Sequence, residues 1–142
     1  MYTAVTPDAL ATLHALAFTT DRPWTAPEFQ SLLASPHCHL THAQHGFALW
    51  RAVAGEAELL TIATHPDHQR CGIGTSLMHL WMTAAAISAQ TAFLEVAADN
   101  NPAITLYKAF GFAIVARRPD YYARTTTRTD ALVMRASIPF SV

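Results

Sequence analysis

Between residues 69 and 75 the chain reads Gln69-Arg70-Cys71-Gly72-Ile73-Gly74-Thr75, between an apolar run and a long uncharged segment. The apolar run, residues 57–64, predicts a central strand, and the uncharged segment predicts a helix over about residues 75–88. Glycines let the backbone approach a ligand closely, and the free N–H groups of a helix start bind phosphate. The Arg70 guanidinium would add a charge-assisted contact. The stretch therefore predicts either an anion-binding loop or a plain tight turn before a core helix.

Two familiar phosphate loops do not fit this stretch. The loop of the NTPases requires a Gly-Lys-Ser/Thr sequence, and residues 69–75 contain no lysine. The dinucleotide fingerprint requires a third glycine at the position that Leu77 occupies. A phosphate bound here would therefore belong to another class of ligand.

The segment that follows the loop is unusually poor in charge. Residues 71–94, between Arg70 and Glu95, contain no Asp, Glu, Lys or Arg. A window of this length has to be considered as a membrane span, but its serine, threonine, histidine and glutamine residues and its two opening glycines argue against one. The first residues lack a basic region followed by an apolar stretch, so we expect no signal peptide.

Composition predicts one globular domain over residues 1–142. Apolar residues make up 51% and charged residues 13% of the 142 positions, which argues against disorder. The net charge is −1, so no basic field is present to hold nucleic acid. Two cysteines, Cys38 and Cys71, provide no disulfide framework. We therefore expect a cytoplasmic protein that binds neither nucleic acid nor membrane.

The remaining elements follow from periodicity and from helix caps. The predicted helices begin at Pro7, near Pro27 and at the pair Asn101-Pro102, with Gly111 ending the last one. Strands are predicted over residues 2–5, 38–43, 47–53, 91–97, 112–116 and 132–136, and a long hairpin loop over residues 117–130. The expected fold class is mixed α/β (α+β), a mixed central sheet of about six to seven strands with about four flanking helices.

Two further side chains are candidates for chemistry. Glu95 lies within the predicted strand 91–97 with apolar residues on both sides, and Tyr107 lies on the apolar face of the next helix. A strand and the helix after it can bring both side chains to one crevice at the carboxyl end of the strand. A carboxylate held in such a crevice can accept a proton as a general base. The alternatives are a solvated carboxylate and a core tyrosine.

Residues 56–112 resemble the acetyl-CoA core of the GNAT superfamily of N-acetyltransferases. Gln69-Arg70-x-Gly72-x-Gly74 resembles its pyrophosphate signature, and Asn100-x-x-Ala103-x-x-x-Tyr107-x-x-x-Gly111-Phe112 resembles its later motif. A narrower resemblance, to the bacterial ribosomal-protein-alanine N-acetyltransferases, rests on five further segments: Pro23-Trp24 followed by Phe29, Leu60 to Pro66, Phe93 to Val96, Leu106-Tyr107, and Arg117-Arg118-x-x-Tyr121-Tyr122.

The resemblance implies a role for each candidate residue. The backbone of Ile62, Ala63 and Thr64 would pair with the pantetheine arm of acetyl-CoA, and Asn100 would contact the cofactor arm. Residues Gln69, Arg70, Cys71, Gly72, Ile73, Gly74 and Thr75 would bind the pyrophosphate. Glu95 would be the general base and Tyr107 the general acid. The acceptor would contact Trp24, Tyr121 and Tyr122, and no metal is implied.

The implied activity is acetyl transfer from acetyl-CoA to a protein N-terminal α-amine, in particular an alanine-starting protein of the small ribosomal subunit. Transfer to another protein N-terminus, to a lysine or to a small amine is the first alternative. A non-catalytic acyl-CoA-binding module is an alternative of another class. Loss of turnover without loss of acetyl-CoA binding, on changing Glu95 or Tyr107, would distinguish an enzyme from such a module.

Two further hypotheses concern a reactive cysteine and a metal site formed by histidines. Cys71 at the start of a helix could be a reactive thiol, although a small filler side chain is the simpler interpretation. His37, His39, His42 and His45 lie close to Cys38 in the sequence, and alternation along a strand could place His37 and His39 on one face. No second pair of ligands stands at a familiar spacing, so we expect no metal site.

Overall fold

The computed structural model describes residues 5–18, 22–69, 72–123 and 127–139. Within these ranges it contains a six-stranded sheet, four α-helices and one short 3-10 helix. In chain order the elements are α1 (Pro7–Ala17), α2 (Ala26–Leu33), β1 (Cys38–Ala43), β2 (Gly46–Val53), β3 (Glu56–Thr64), the 3-10 helix (Pro66–His68), α3 (Ile73–Ala85), β4 (Thr91–Ala97), α4 (Asn101–Ala109), β5 (Ala113–Ala123) and β6 (Arg128–Ser137). The predicted mixed α/β fold is confirmed.

The strands lie in the order β1-β2-β3-β4-β6-β5. Only β3 and β4 run parallel, and α3 provides the crossover between them. One face of the sheet packs on α3 and α4 around buried residues such as Trp81 and Leu94, and the other packs on α1 and α2 around Leu10 and Phe29. We call these the α3/α4 face and the α1/α2 face.

The observed helix caps agree in part with those that the sequence predicts. Thr25 caps α2 in a capping box with Glu28, as the Thr-Ala-Pro-Glu pattern predicts. The cap of α4 is Asn100 rather than Asn101: its side chain accepts the N–H of Ala103 at 3.3 Å. Asn101 and Pro102 are the first helical residues, where proline needs no N–H partner. Of the predicted strand over residues 2–5, only Val5 lies within the described residues, and it is not in a strand.

The predicted loop over residues 117–130 is wrong, because most of it is strand. β5 continues to Ala123 and β6 begins at Arg128. Asp130 holds the two strands together by accepting from Arg117 Nη1 at 2.5 Å and from the backbone N–H of Asp120 at 2.9 Å. β5 is an edge strand that is exposed on both faces along nearly its whole length, so it lacks the apolar alternation that indicates a strand.

His14 is a buried titratable side chain of the core between α1 and α2, with 2% of its surface exposed. Burial lowers the pKa of His14 from 6.5 to about 4, while the charge of Glu28 acts in the opposite direction and that of Arg22 adds to the lowering. The imidazole is therefore neutral in the folded protein at neutral pH.

We expect this histidine to make folding stability pH-dependent. Between pH 4 and pH 6.5 the unfolded chain binds more protons at His14 than the folded chain, so stability falls as the pH falls through this range. At pH 4 the expected loss is about 3 kcal/mol of unfolding free energy relative to neutral pH. Urea unfolding across this range tests it, with His14→Gln as the reference that lacks the titrating group. Equal pH dependence in both proteins would contradict the prediction.

Candidate active site

The parallel strands β3 and β4 separate toward their carboxyl ends. Their register runs from Glu56 opposite Thr91 to Leu59 opposite Leu94, and these strands show no pair beyond it. β3 nevertheless continues to Thr64 and β4 to Ala97. The edge of residues 60–64 that faces β4 therefore borders a gap in the sheet.

A β-bulge accounts for this gap. In the β2–β3 pairing, Leu49 is opposite Thr61 and Trp50 is opposite Leu59, so Leu60 is an extra residue on β3. A bulge bends its strand and increases the local twist. It also shifts the alternation: Leu59 packs on the α3/α4 face, whereas Thr61 contacts α1 on the other face.

The segment predicted to hold the pantetheine arm lies beyond the bulge. Ile62, Ala63 and Thr64 all belong to β3 and pair with β2 on one side only. An extended ligand can add to the other side as an extra strand would. Gln69, a predicted loop residue, donates from Nε2 to the carbonyl oxygen of Thr64 at 3.3 Å, which ties the loop to the end of this segment.

The start of α3 differs from the starts of the other α-helices. Thr6, Thr25 and Asn100 each cap their helix with a side chain, whereas the N-cap of α3 is Gly72, which has none. Gly72 has φ 81°, and a Cβ built on it would meet no atom of the described residues within 4 Å. The first backbone N–H groups of α3, those of Ile73, Gly74 and Thr75, precede the helical hydrogen-bond ladder and point to this side.

The loop predictions are otherwise mixed. Arg70 and Cys71 lie outside the described residues. α3 begins at Ile73, earlier than the sequence indicated, because the left-handed backbone of Gly72 starts the helix. A Cβ on Gly74 would lie 3.3 Å from Leu106 Cδ2, so this glycine allows α3 and α4 to pack closely whatever the loop binds.

Glu95 lies just past the last β3–β4 pair. Its neighbours Leu94 and Val96 are buried on the α3/α4 face, so alternation places Glu95 on the α1/α2 face. Its side chain is 21% exposed, and Oε1 lies 3.0 Å from Nη2 of Arg118 on β5. The carboxylate is thus oriented by an ion pair beside the gap.

Tyr107 lies on α4, in the core of the α3/α4 face. Its side chain is buried, with its ring 6.1 Å from that of Phe112. Burial raises the pKa of Tyr107 well above its usual value of 10, and the charge of Tyr122 raises it further. The phenol therefore keeps its proton at neutral pH.

Glu95 and Tyr107 thus belong to opposite faces of the sheet. Tyr122, whose charge raises the pKa of Tyr107, pairs with Thr129 of β6. This pair lies beyond the last pair between β4 and β6, which is Ala97 with Ala131. α4 begins at Asn101, shortly after β4 ends at Ala97, so the helix that carries Tyr107 starts at the carboxyl end of that strand.

The residues predicted to contact the acceptor lie around the same end of the sheet. Tyr121 and Tyr122 are on β5, with ring centroids 5.1 Å apart, and the guanidinium of Arg118 lies 5.7 Å from the Tyr121 ring centre. Trp24 precedes α2 on the α1/α2 face, and its ring is 5.6 Å from that of Phe29. Arg118 therefore joins Tyr121 to Glu95.

Two contacts of this region were not predicted from the sequence. One is the pairing of Arg118 with Glu95, which depends on the register of β5, β6 and β4. The other is the contact of His14 with both Trp24 and Thr61. A histidine within the apolar stripe of a helix is the one signal that could have indicated it.

The remaining candidates have structural partners. Asn100 Oδ1 caps α4, as described above. In the histidine-rich segment, His39 stacks on Trp50 at 4.5 Å and His45 stacks on His68 at 3.5 Å. Among the described residues, no group of three or more His, Cys, Asp or Glu is arranged to hold a metal ion.

Within the charge-free segment, the described residues 72–94 do not form one long helix. α3 ends at Ala85, and β4 begins at Thr91. Within the described ranges, no helix has the length and apolar character needed to cross a membrane.

Known proteins are similar to this chain in sequence and in fold. A family model described as "Acetyltransferase (GNAT) family" matches residues 9–112. The chain is 36% identical over 125 residues to the ribosomal protein bS18-alanine N-acetyltransferase of Escherichia coli K12, covering 84% of this chain and 83% of that one. It is 35% identical over 134 residues to the N-alpha-acetyltransferase RimI of Mycobacterium tuberculosis, covering 88% and 82%. The crystal structure of the ribosomal-protein-S18-alanine N-acetyltransferase from Escherichia coli matches with a TM-score of 0.84 and 29% identity over 99% of this chain and 94% of that one.

Proposed function

The chain belongs to the GNAT family of acetyltransferases, and we propose that it transfers acetyl from acetyl-CoA to the N-terminal α-amine of an alanine-starting ribosomal protein. The gap between β3 and β4 is the observation that carries the proposal, because it offers a free strand edge next to the segment of β4 that carries Glu95. The names of the Escherichia coli and Mycobacterium tuberculosis relatives support an α-amine acceptor, and the former supports a ribosomal alanine. A ribosomal acceptor would place the enzyme in the cytoplasm.

The proposed roles follow from the chemistry of the transfer. A protein α-amine has a pKa of about 7.7–8.0 and is largely protonated at neutral pH, so it must lose a proton before or as it attacks the thioester. Glu95 accepts that proton directly or through a water molecule. The new C–N bond forms at the acetyl carbon, the nitrogen that has become cationic loses a second proton to water, and the C–S bond then breaks. Tyr107 gives its proton to the departing CoA sulfur, and the proton held by Glu95 returns through solvent to the phenolate, so that one proton is released overall.

Binding of acetyl-CoA would use backbone more than side chains. The β4-facing edge of Ile62, Ala63 and Thr64 would pair with the amides of the pantetheine arm. The N–H groups at the start of α3 would bind the pyrophosphate, with Gln69, Arg70 and Cys71 completing the loop. The acceptor would approach between Trp24 and the pair Tyr121 and Tyr122, which brings its amine to Glu95.

A comparison of acceptors tests this function. We expect the enzyme to acetylate a peptide that begins with the alanine of a small-subunit ribosomal protein. The matched control is the same peptide with its α-amine blocked and a lysine retained, and spermidine serves as the small amine. Turnover of lysine or spermidine without turnover of the free peptide would contradict the proposal, and acetyl-CoA binding without any turnover would favour a binding module.

We expect Gly72→Val to weaken acetyl-CoA binding by about tenfold or more, an effect of about 1.4 kcal/mol or more. Valine at φ 81° strains the backbone, and its side chain would project into the space before the helix start. Gly55→Val is the matched control, since Gly55 has φ 82° but lies in the β2–β3 turn. Calorimetric titration of both variants separates local blockage from strain. Unchanged affinity for Gly72→Val, or an equal loss in both variants, would refute the placement of the pyrophosphate.

A further inference from the structure

The His14 side chain is hydrogen-bonded at both ring nitrogens. Nδ1 accepts the backbone N–H of Trp24 at 3.0 Å, and Nε2 lies 3.1 Å from Oγ1 of Thr61. A neutral imidazole that accepts at Nδ1 carries its proton on Nε2. We therefore assign the second contact as a donation from Nε2–H to Thr61 Oγ1.

These two bonds join the two substrate sides of the active site. Trp24 belongs to the segment between α1 and α2, residues 22–25, on which the acceptor is proposed to lie. Thr61 follows the bulge at Leu60 and immediately precedes the segment proposed for the pantetheine arm. His14 therefore spans from the acceptor side to the acetyl-CoA side.

The segment 22–25 is also attached firmly to α2. The Arg22 guanidinium donates to both carboxylate oxygens of Glu28, at 2.7 and 2.9 Å, and Thr25 forms the capping box with the same residue. The segment and the start of α2 thus form one unit. Through His14 this unit is hydrogen-bonded to β3.

Packing fixes the orientation of the imidazole. The rings of Phe18 and Trp24 stack on it at 4.1 and 5.3 Å, and the Phe29 ring meets it edge-on at 5.6 Å. Burial also lowers the pKa of His14 to about 4, so one neutral tautomer persists at neutral pH. A polar ring in an apolar core carries a desolvation cost that two directed hydrogen bonds offset.

We propose that His14 is a positioning residue, which sets the distance and orientation of the acceptor segment 22–25 relative to the acetyl-CoA strand at Thr61. The inference rests on the proposed function for the identity of the two substrates. It predicts that loss of the two hydrogen bonds weakens acceptor binding and leaves acetyl-CoA binding nearly unchanged, because the backbone of residues 62–64 is still held by β2.

His14→Phe is the primary test, since phenylalanine retains ring stacking and removes both hydrogen bonds. We expect the KM for the alanine-starting peptide to rise by about tenfold, as the loss of one or two neutral hydrogen bonds allows. The dissociation constant of acetyl-CoA should change by less than about twofold. Thr61→Val, which removes only the second bond, should raise the KM by a smaller factor.

Leu10→Ala is the matched control for a merely structural role. Leu10 is buried in the same core on α1 but is not part of the hydrogen-bonded link. It should lower thermal stability without raising the acceptor KM when the assay is run well below the unfolding temperature. An equal KM increase in Leu10→Ala, or an unchanged KM in His14→Phe, would overturn the positioning role.

The acceptor comparison keeps this inference separate from the proposed function. If the wild-type enzyme acetylates lysine or spermidine instead of the α-amine, the proposed function fails, and the KM for that acceptor becomes the readout for His14→Phe. A KM increase there upholds the positioning role, and an unchanged KM rejects it. If the wild-type protein acetylates no acceptor, both are rejected.

Discussion

Tyr107→Phe is expected to lower kcat by about 10²-fold or more, the usual contribution of a positioned general acid. The change removes only the hydroxyl, so the ring keeps its contact with Phe112 and the core of the α3/α4 face stays filled. Without a proton donor, the CoA sulfur must leave as a free thiolate. The barrier to breaking the C–S bond then rises.

The pH profile gives this prediction a second readout. Because burial raises the pKa of Tyr107 above its usual value of 10, the wild-type enzyme should keep its acid protonated throughout the neutral and mildly alkaline range. The ratio of wild-type to Tyr107→Phe kcat should therefore stay constant there. Acetyl-CoA affinity should be nearly unchanged in the variant. A kcat within about twofold of the wild-type value would contradict the general-acid role.

The elements with strong local signals were the most predictable part of the molecule. Residues 91–97 were predicted as a strand and are β4, in which buried residues alternate with partly exposed ones as far as Val96. The start of α2 was predicted near Pro27, because Thr25 or Ala26 could serve as the cap and proline favours the first turn; the structure has Thr25 as the cap. Such local signals need no knowledge of the rest of the chain.

Features that depend on distant parts of the chain could not be predicted. The bulge at Leu60 exists because of its pairing with β2, and apolar residues alone do not reveal a shifted register. Arg118 meets Glu95 only because β6 lies between β5 and β4. The sequence therefore indicated Glu95 and Tyr107 as partners, but not that they lie on opposite faces of the sheet.

Glu95→Gln is the second change with a large expected effect, a fall in kcat of about 10²-fold. Glutamine keeps the size of the side chain and loses the ability to accept a proton from the acceptor amine. The loss of kcat relative to the wild type should be greatest at neutral pH, where the amine is largely protonated. It should narrow above a pH of about 8, where solvent has already removed that proton.

Loss of the ion pair with Arg118 could also perturb the site, and the chain offers a control for this. Glu58 on β3 pairs with Arg51 at 2.5 Å, and its side chain is 22% exposed, against 21% for Glu95. Glu58→Gln removes a comparable ion pair in the part of β3 that still pairs with β4, away from the gap, and should leave kcat unchanged. A similar fall in both variants would mean that the charge of the pair matters rather than proton transfer. A fall confined to Glu95→Gln, diminishing at high pH, would instead identify the carboxylate as the general base, because loss of an ion pair does not depend on the protonation of the acceptor amine.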